Sequence, residues 1–447
     1  MSKKTLARVI LLLVALGPAA LAADQYLVRV PSSKIGDVVA RHGLTLLRSL
    51  QGSARGFHVV LAPSGTDPRD IASDPSVQDL EEDSNVLLPE AAPDFQGQAS
   101  LQVNGLGAPT ALSFFGVQAL GAYVEQPAGA VIALDGARNI ATGAGTVAVL
   151  DTGVDPNHPV LKNSLVPGYD FTRNIPGGSE MNDLDQSTTA ILDDAQSTTA
   201  ILDDVQSTTA ILDKTQVMVL NQSTTAILDQ STTAILDRAS LPGDFGHGTM
   251  VAGLVHLVAP AAKIMPVKVF TGDGAATLSQ IVAGIAWAVD NGANVVSMSF
   301  SSPTGSEAMK KVIAEAIAKG VVLVAAAGND GEQIVVYPAG YGIIGVGSTD
   351  DWLRRSSFSN YGSIVTVAAP GEGVITLYPG NNYAAGWGTS FSAPLVAGGA
   401  ALLVQLGSTN QSQAAQALSQ AVFIGQQLGA GELNLVMACW YGAWQRN

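Results

Sequence analysis

Cysteine is nearly absent from this chain of 447 residues, and the one present, Cys439, rules out any internal disulfide. Stability must therefore come from core burial and from any bound ions, and Cys439 is expected to be a small packed side chain rather than a nucleophile. Charge is scarce too: 13% of residues are charged, and 22 Lys and Arg stand against 37 Asp and Glu, a formal net charge of −15. With no basic cluster beyond the first few residues, contact with phosphates is disfavoured and no nucleic-acid partner is expected. No segment has the uninterrupted apolar length of a membrane-spanning helix. What is abundant is hydrophobic residues, at 47%, which indicates a packed protein rather than a disordered one.

Lys3 and Lys4, a short apolar run over 9–16 and Ala20-Leu21-Ala22 form a secretory signal over 1–22. The run is too short to anchor the chain in a bilayer. The expected location is thus secreted, extracellular or periplasmic, with no membrane association in the mature form.

Residues 23–92 are expected to form a unit of their own. Strands are predicted at 26–30, 56–61 and within 77–86, and helices at 35–41 and 67–74. That order predicts a small α+β, ferredoxin-like fold with helices on one face of an antiparallel sheet. The stretch 93–120, rich in Gly, Ala, Pro and Gln, has the composition of a linker.

Over 121–435 short apolar runs alternate with helical segments. Strands are predicted at 146–150, 264–270, 294–299, 321–326, 343–346 and 364–368. Helices are predicted at 248–257, 278–290, 305–318, 390–406 and 411–422. Fully apolar strands alternating with helices predict an α/β domain, a parallel sheet with helices on both faces, whose ligands bind beyond the carboxyl ends of the strands. One insertion, 183–238, interrupts the pattern. It holds the string Gln-Ser-Thr-Thr-Ala-Ile-Leu-Asp five times, starting at Gln186, Gln196, Gln206, Gln222 and Gln230. Irregular spacing argues against a stacked solenoid, and the Thr-Thr and Ile-Leu pairs favour strands or coil at the surface.

Four motifs offer the parts that acyl transfer on a serine requires: a base, a carboxylate to orient it, donors for the oxyanion, and an exposed hydroxyl. Asp151 closes the strand at 146–150, where a carboxylate at the sheet rim can accept from an imidazole. His247 lies in Gly246-His247-Gly248-Thr249 at the start of a helix, with small neighbours that permit close approach. Ser390 lies in Gly388-Thr389-Ser390 at another helix start, where backbone amides and the helix dipole favour an anion. Pro394 is expected to be tolerated as part of that helix's first turn. Asn329 follows the strand ending at 326 and could donate to an oxyanion. Taken singly, each has an ordinary structural alternative: a turn Asp, a core His, a helix-capping Ser.

Together, in the order Asp, His, Asn, Ser, the strings Asp-Thr-Gly-Val-Asp at 151–155, Gly-His-Gly-Thr-Met-Val-Ala-Gly at 246–253, Ala-Ala-Gly-Asn at 326–329 and Gly-Thr-Ser-Phe-Ser-Ala-Pro at 388–394 closely resemble the subtilisin family. The similarity extends over most of 140–405, outside the insertion, and includes Pro266-Val267-Lys268-Val269. It implies a serine endopeptidase with Asp151, His247 and Ser390 as catalytic triad and Asn329 as oxyanion donor. It also implies that Ser299, Phe300, Ser301 and Gly328 line the substrate cleft, and that residues 23–92 are an inhibitory propeptide cut away within 93–120. Partners would be protein or peptide substrates and the chain's own propeptide, with the enzyme a monomer. No cofactor would be required, and a structural calcium ion could be bound. Departures from the pattern are Ser301 where glycine is usual, Met250 where a second histidine is common, Phe391 for the methionine after the nucleophile, and Val160 where a calcium-binding aspartate often stands.

Two other classes predict different features. The repeats could make the chain a surface adhesion protein on a peptidase scaffold, which would predict a missing catalytic residue. A serine esterase of the α/β-hydrolase type would need a Gly-x-Ser-x-Gly elbow, which Ser390 lacks, and a different triad order.

Overall fold

The computed structural model describes residues 24–88, 111–184, 242–407 and 410–445, and the backbone alone of Val217–Leu220 and Thr225–Leu228. The expected signal at 1–22, residues 93–110 of the expected linker and most of the repeat insertion lie outside the described residues.

The N-terminal unit runs β1 (Asp24–Arg29), α1 (Ile35–His42), β2 (Thr45–Ser49), β3 (Phe57–Ala62), α2 (Pro68–Ala72) and β4 (Asp79–Glu82). Its antiparallel sheet has the order β2-β3-β1-β4, the arrangement of a split βαβ fold. The sequence pattern missed β2, because three of its five residues are exposed and no alternation marks it. A short strand, β5 (Asn85–Leu87), then leaves this unit.

Residues 111–120, at the end of the stretch with linker composition, pair as β6 (Ala111–Phe114) and β7 (Val117–Leu120). Three short helices follow, α3 (Gly121–Val124), α4 (Pro127–Val131) and α5 (Leu134–Arg138). The main sheet begins with β8 (Thr146–Asp151), β9 (Tyr169–Asp170) and β10 (Ile175–Pro176). After the insertion strands β11 (Val217–Leu220) and β12 (Thr225–Leu228) come α6 (His247–Val258), β13 (Lys263–Lys268), β14 (Ala275–Thr277), α7 (Leu278–Asp290), β15 (Val295–Met298), α8 (Glu307–Ala318), β16 (Val322–Ala326), β17 (Ile344–Thr349) and β18 (Val367–Pro370). The hairpin β19 (Val374–Tyr378) and β20 (Asn382–Gly386) precedes α9 (Thr389–Gln405), α10 (Gln411–Leu418) and α11 (Leu435–Gln445).

The eight-stranded sheet has the order β10-β9-β13-β8-β15-β16-β17-β18 and is parallel from β9 to β18. Its strands β8, β13 and β15 to β18 are mostly apolar because both faces are covered. Along β8, Val147 and Val149 pack into the core shared with α6 and α9, while Ala148 and Leu150 pack into the core shared with α7 and α8. β8 lies inside the sheet, so Asp151 emerges at the middle of its carboxyl edge.

The N-terminal unit docks through carboxylates on helix starts, where backbone amides lack partners within the helix. The amide of Gln280 is bound by Thr277 in a capping box at the start of α7, and Asp83 takes the amide and hydroxyl of Ser279, each at 2.7 Å. At α8, Ser306 caps Met309 and Glu81 accepts from the Ala308 amide at 2.8 Å. Farther along, Ser53 donates its amide to Asp290 at 2.7 Å, and Lys319 binds both residues. β5 pairs antiparallel with β14, which carries the tail of this unit across the carboxyl edge of the sheet. Among the described residues no helix is long and apolar enough to cross a membrane, and no group of three or more His, Cys, Asp or Glu could hold a metal ion.

Candidate active site

The site is assembled where the ends of β8, β15 and β16 meet the first turns of α6 and α9. Asp151 is fully buried, and its Oδ1 accepts from His247 Nδ1 at 2.7 Å and from the Thr152 amide at 2.7 Å. Close approach of α6 to the end of β8 depends on glycine. A Cβ on Gly248 would lie 1.9 Å from the Gly153 carbonyl oxygen, and one on Gly246, with φ +94°, would lie 2.3 Å from the Tyr378 ring. The small residues around His247 therefore let the helix start abut the strand end that carries Asp151. Burial alone would lower the His247 pKa, but the charge and hydrogen bond of Asp151 outweigh it and raise it above the ordinary 6.5.

Ser390 sits in the first turn of α9, nearly buried, and its Oγ donates to the Ser299 carbonyl at 3.1 Å. Its neighbour Phe391 lies against the His247 ring, with centroids 5.6 Å apart, which brings the two helix starts together. Pro394 is not in the first turn, as expected, but inside the helix. There it removes the amide that would bond the carbonyl four residues back, Ser390. The Ser299 hydroxyl takes that place, donating to the Ser390 carbonyl at 2.9 Å. Two reciprocal hydrogen bonds thus tie the start of α9 to the end of β15.

Asn329 is held from the same helix start: its Oδ1 accepts from the Thr389 amide and hydroxyl, both at 2.9 Å. This directs the amide oxygen to the helix and leaves the NH₂ group on the opposite branch. The cleft beside it, ≈ 360 Å³, is lined by Ser301, Asn329, Asp330 and Val336, and on its outer side by Leu87 and Leu88 of the N-terminal tail. The Leu88 amide donates to the Gly274 carbonyl at 2.9 Å. Gly328 has φ +92°, and a Cβ there would lie 2.5 Å from Asn360 Nδ2 and 3.1 Å from Ser301 Oγ, which explains glycine before Asn329. Phe300 is buried against Phe270, centroids 5.2 Å apart, so it can face the cleft with its backbone only. Cys439 is buried away from the site, and burial pushes its thiol up to about 12.

Other buried polar groups here went unnoticed in the sequence. Lys268, fully buried, donates to the Thr152 carbonyl at 2.6 Å, to Asp183 at 2.6 Å and to the Phe270 carbonyl at 2.7 Å. A lysine inside an apolar strand was the available signal. Glu180, also fully buried, carried none: it lies just before the repeats in a stretch without periodicity.

A parallel sheet with helices on both faces, with an Asp–His pair and a helix-borne serine at its carboxyl edge, defines an α/β protein that carries the parts acyl transfer on a serine requires. Comparison narrows this. The sequence profile of the subtilase family matches residues 143–427, and the chain belongs to that family. It is 43% identical over 173 residues to subtilisin DY of Bacillus licheniformis, covering 36% of this chain and 63% of that protein. It is 34% identical over 281 residues to thermitase of Thermoactinomyces vulgaris, covering 60% of this chain and 78% of that protein. The chain thus spans less than two thirds of the length of subtilisin DY. In fold it resembles fervidolysin of Fervidobacterium pennivorans, described as a keratinolytic enzyme related to subtilisin, with a TM-score of 0.65 over 95% of this chain and 62% of that one at 22% identity.

Proposed function

We propose that this chain is a serine endopeptidase that forms an acyl-enzyme, exported by the signal at 1–22 and made as a precursor that processes itself. The observation that carries the reading is the 2.7 Å bond between Asp151 and His247 at the sheet rim, beside Ser390 at a helix start. His247 Nδ1 donates to Asp151, which fixes the tautomer that leaves Nε2 free to take the Ser390 proton. The hydroxyl now on the Ser299 carbonyl turns to His247 as the scissile carbonyl enters. The oxyanion is received by the Ser390 amide and the Asn329 NH₂ group, and His247 returns the proton to the leaving amine. Ser299, Phe300, Ser301 and Gly328 border the substrate, with Ser301 narrowing the pocket by its side chain.

The N-terminal unit would act as inhibitor, since its tail at 85–88 already lines the cleft that holds Asn329. Cleavage within 93–120 would release it.

The direct test is labelling of the purified chain with a fluorophosphonate, followed by peptide mapping and a casein assay. An adduct on Ser390 together with hydrolysis is expected; hydrolysis with no adduct there would refute the assignment. Asn329→Leu should lower kcat by about 10²–10³-fold with KM little changed, the loss subtilisin shows for its own oxyanion asparagine. Because Asp151 raises the His247 pKa, the acid limb of kcat/KM should lie above pH 6.5, and activity should fall as pH drops through it and the imidazole is protonated. The same shift has a sign for stability: the contribution is full below 6.5 and is lost as pH rises through the raised value.

A further inference from the structure

The turn Glu180–Asp183 lies against the strand end that carries Asp151 and the helix start that carries His247, with Glu180 fully buried between them. Its Oε2 accepts from the Gly246 amide at 3.0 Å and from the Thr152 hydroxyl at 3.1 Å, and its Oε1 meets the Thr249 hydroxyl. Both hydroxyls already accept a backbone amide, Thr152 Oγ from Gly248 at 2.9 Å and Thr249 Oγ from Asp155 at 2.7 Å. A hydroxyl has a single proton to give. Here both protons are directed at Glu180. One carboxyl therefore joins the residue after Asp151, the residue before His247 and the residue two beyond it.

We propose that Glu180 is a positioning residue for the Asp151–His247 pair, clamping the strand end that carries the aspartate to the first helical turn that carries the histidine. The clamp rests on the reading of Asp151 and His247 as working partners, but its geometry does not involve Ser390. Glycines at 246 and 248 give this helix start close approach but no side chains of their own to fix it, so polar ties add to the core packing of Met250 and Val251. Charged and titratable groups around Glu180 are Asp151 from β8, Lys268 from β13, Tyr378 from β19, His247 of α6 with Asp244 just before it, and Asp183 on its own turn. Burial, reinforced by the Asp151 charge, pushes the Glu180 carboxyl up to about 8 against the pull of Thr249, Lys268 and Thr152.

The test uses the full chain with Glu180→Ala and Glu180→Gln. Alanine removes all three ties; glutamine keeps the volume but places an amide NH₂ where an acceptor for Thr249 or for Gly246 and Thr152 is needed. Two readouts are taken: the downfield ¹H resonance of His247 Nδ1–H in a Ser390→Ala background, and kcat, KM and the acid limb in the active chain. Expected for Glu180→Ala are a broadened or shifted resonance, kcat lower by tenfold or more, KM unchanged within twofold, and an acid limb moved to lower pH as Asp151 loses its grip on the imidazole. Glu180→Gln should show the same changes in smaller degree, and it carries the test if the alanine variant does not fold. A lower melting temperature with resonance, kcat and acid limb all unchanged in the glutamine variant would overturn the proposal. A resonance that responds in a chain with no casein hydrolysis would instead remove the enzymatic reading and leave the clamp standing.

Discussion

Replacing Ser390 by alanine is expected to abolish hydrolysis, with kcat falling by about 10⁶-fold, the loss subtilisin shows when its nucleophile is removed. The change takes away a hydroxyl that donates to the Ser299 carbonyl at 3.1 Å and nothing else in the packing. Such a bond contributes about 1 kcal/mol, so the variant should fold and melt within a few degrees of the wild type. The reciprocal bond from the Ser299 hydroxyl to the Ser390 carbonyl is made by the backbone and survives. Loss of activity would then be chemical rather than structural. Because the same serine would perform maturation, purified Ser390→Ala should remain full length, whereas wild type should acquire a new N-terminus within 93–120. N-terminal sequencing of both distinguishes the cases. Self-cleavage in the alanine variant, or casein hydrolysis above about one part in a thousand of wild type, would remove Ser390 from the mechanism.

Asp151→Asn is expected to cost about 10⁴-fold in kcat, and the structure shows why neither orientation of the new amide rescues it. Asp151 Oδ1 accepts from both His247 Nδ1 and the Thr152 amide. If the NH₂ group takes that position, it meets the Thr152 amide donor and forces His247 into the tautomer that cannot accept from Ser390. If the amide oxygen stays there, the tautomer is kept, but the NH₂ group is buried and the charge that supports the imidazolium is gone. Both routes also remove what raises the His247 pKa, so the acid limb should move to lower pH along with the fall in kcat. An acid limb that stays in place would show that another group sets it, and would take Asp151 out of the pair.

Much of the fold over 121–435 was legible because its strands are short apolar runs and its helices are separated by glycine and polar punctuation. The helix predicted at 278–290 has those bounds in the structure, where Thr277 and Gln280 form a capping box at its start. β2 was not found, being half exposed and without alternation. Nor were β19 and β20, whose residues are buried on both sides and follow no helix. The C-terminal helix Leu435–Gln445 escaped because Trp440 and Trp444 are exposed, so no apolar face marks it. Pro394 was placed one turn too early, and its consequence depended on a hydroxyl 95 positions away in sequence, at Ser299.

Sequence alone determined the chemistry on offer: an aspartate ending a strand, a histidine between glycines, an asparagine after a glycine turn, and a serine opening a helix. These are local statements, and short-range sterics and capping write them into short strings. Only the tertiary structure decided that Asp151 and His247 share a hydrogen bond, that the tail at 85–88 borders the cleft of Asn329, and that Glu180 and Lys268 are buried beside the pair. Such facts depend on which strand lies beside which and on a carboxyl finding three donors from two remote segments. No periodicity along the chain encodes them, because the cost of burying a charge is set by the partners that arrive in space.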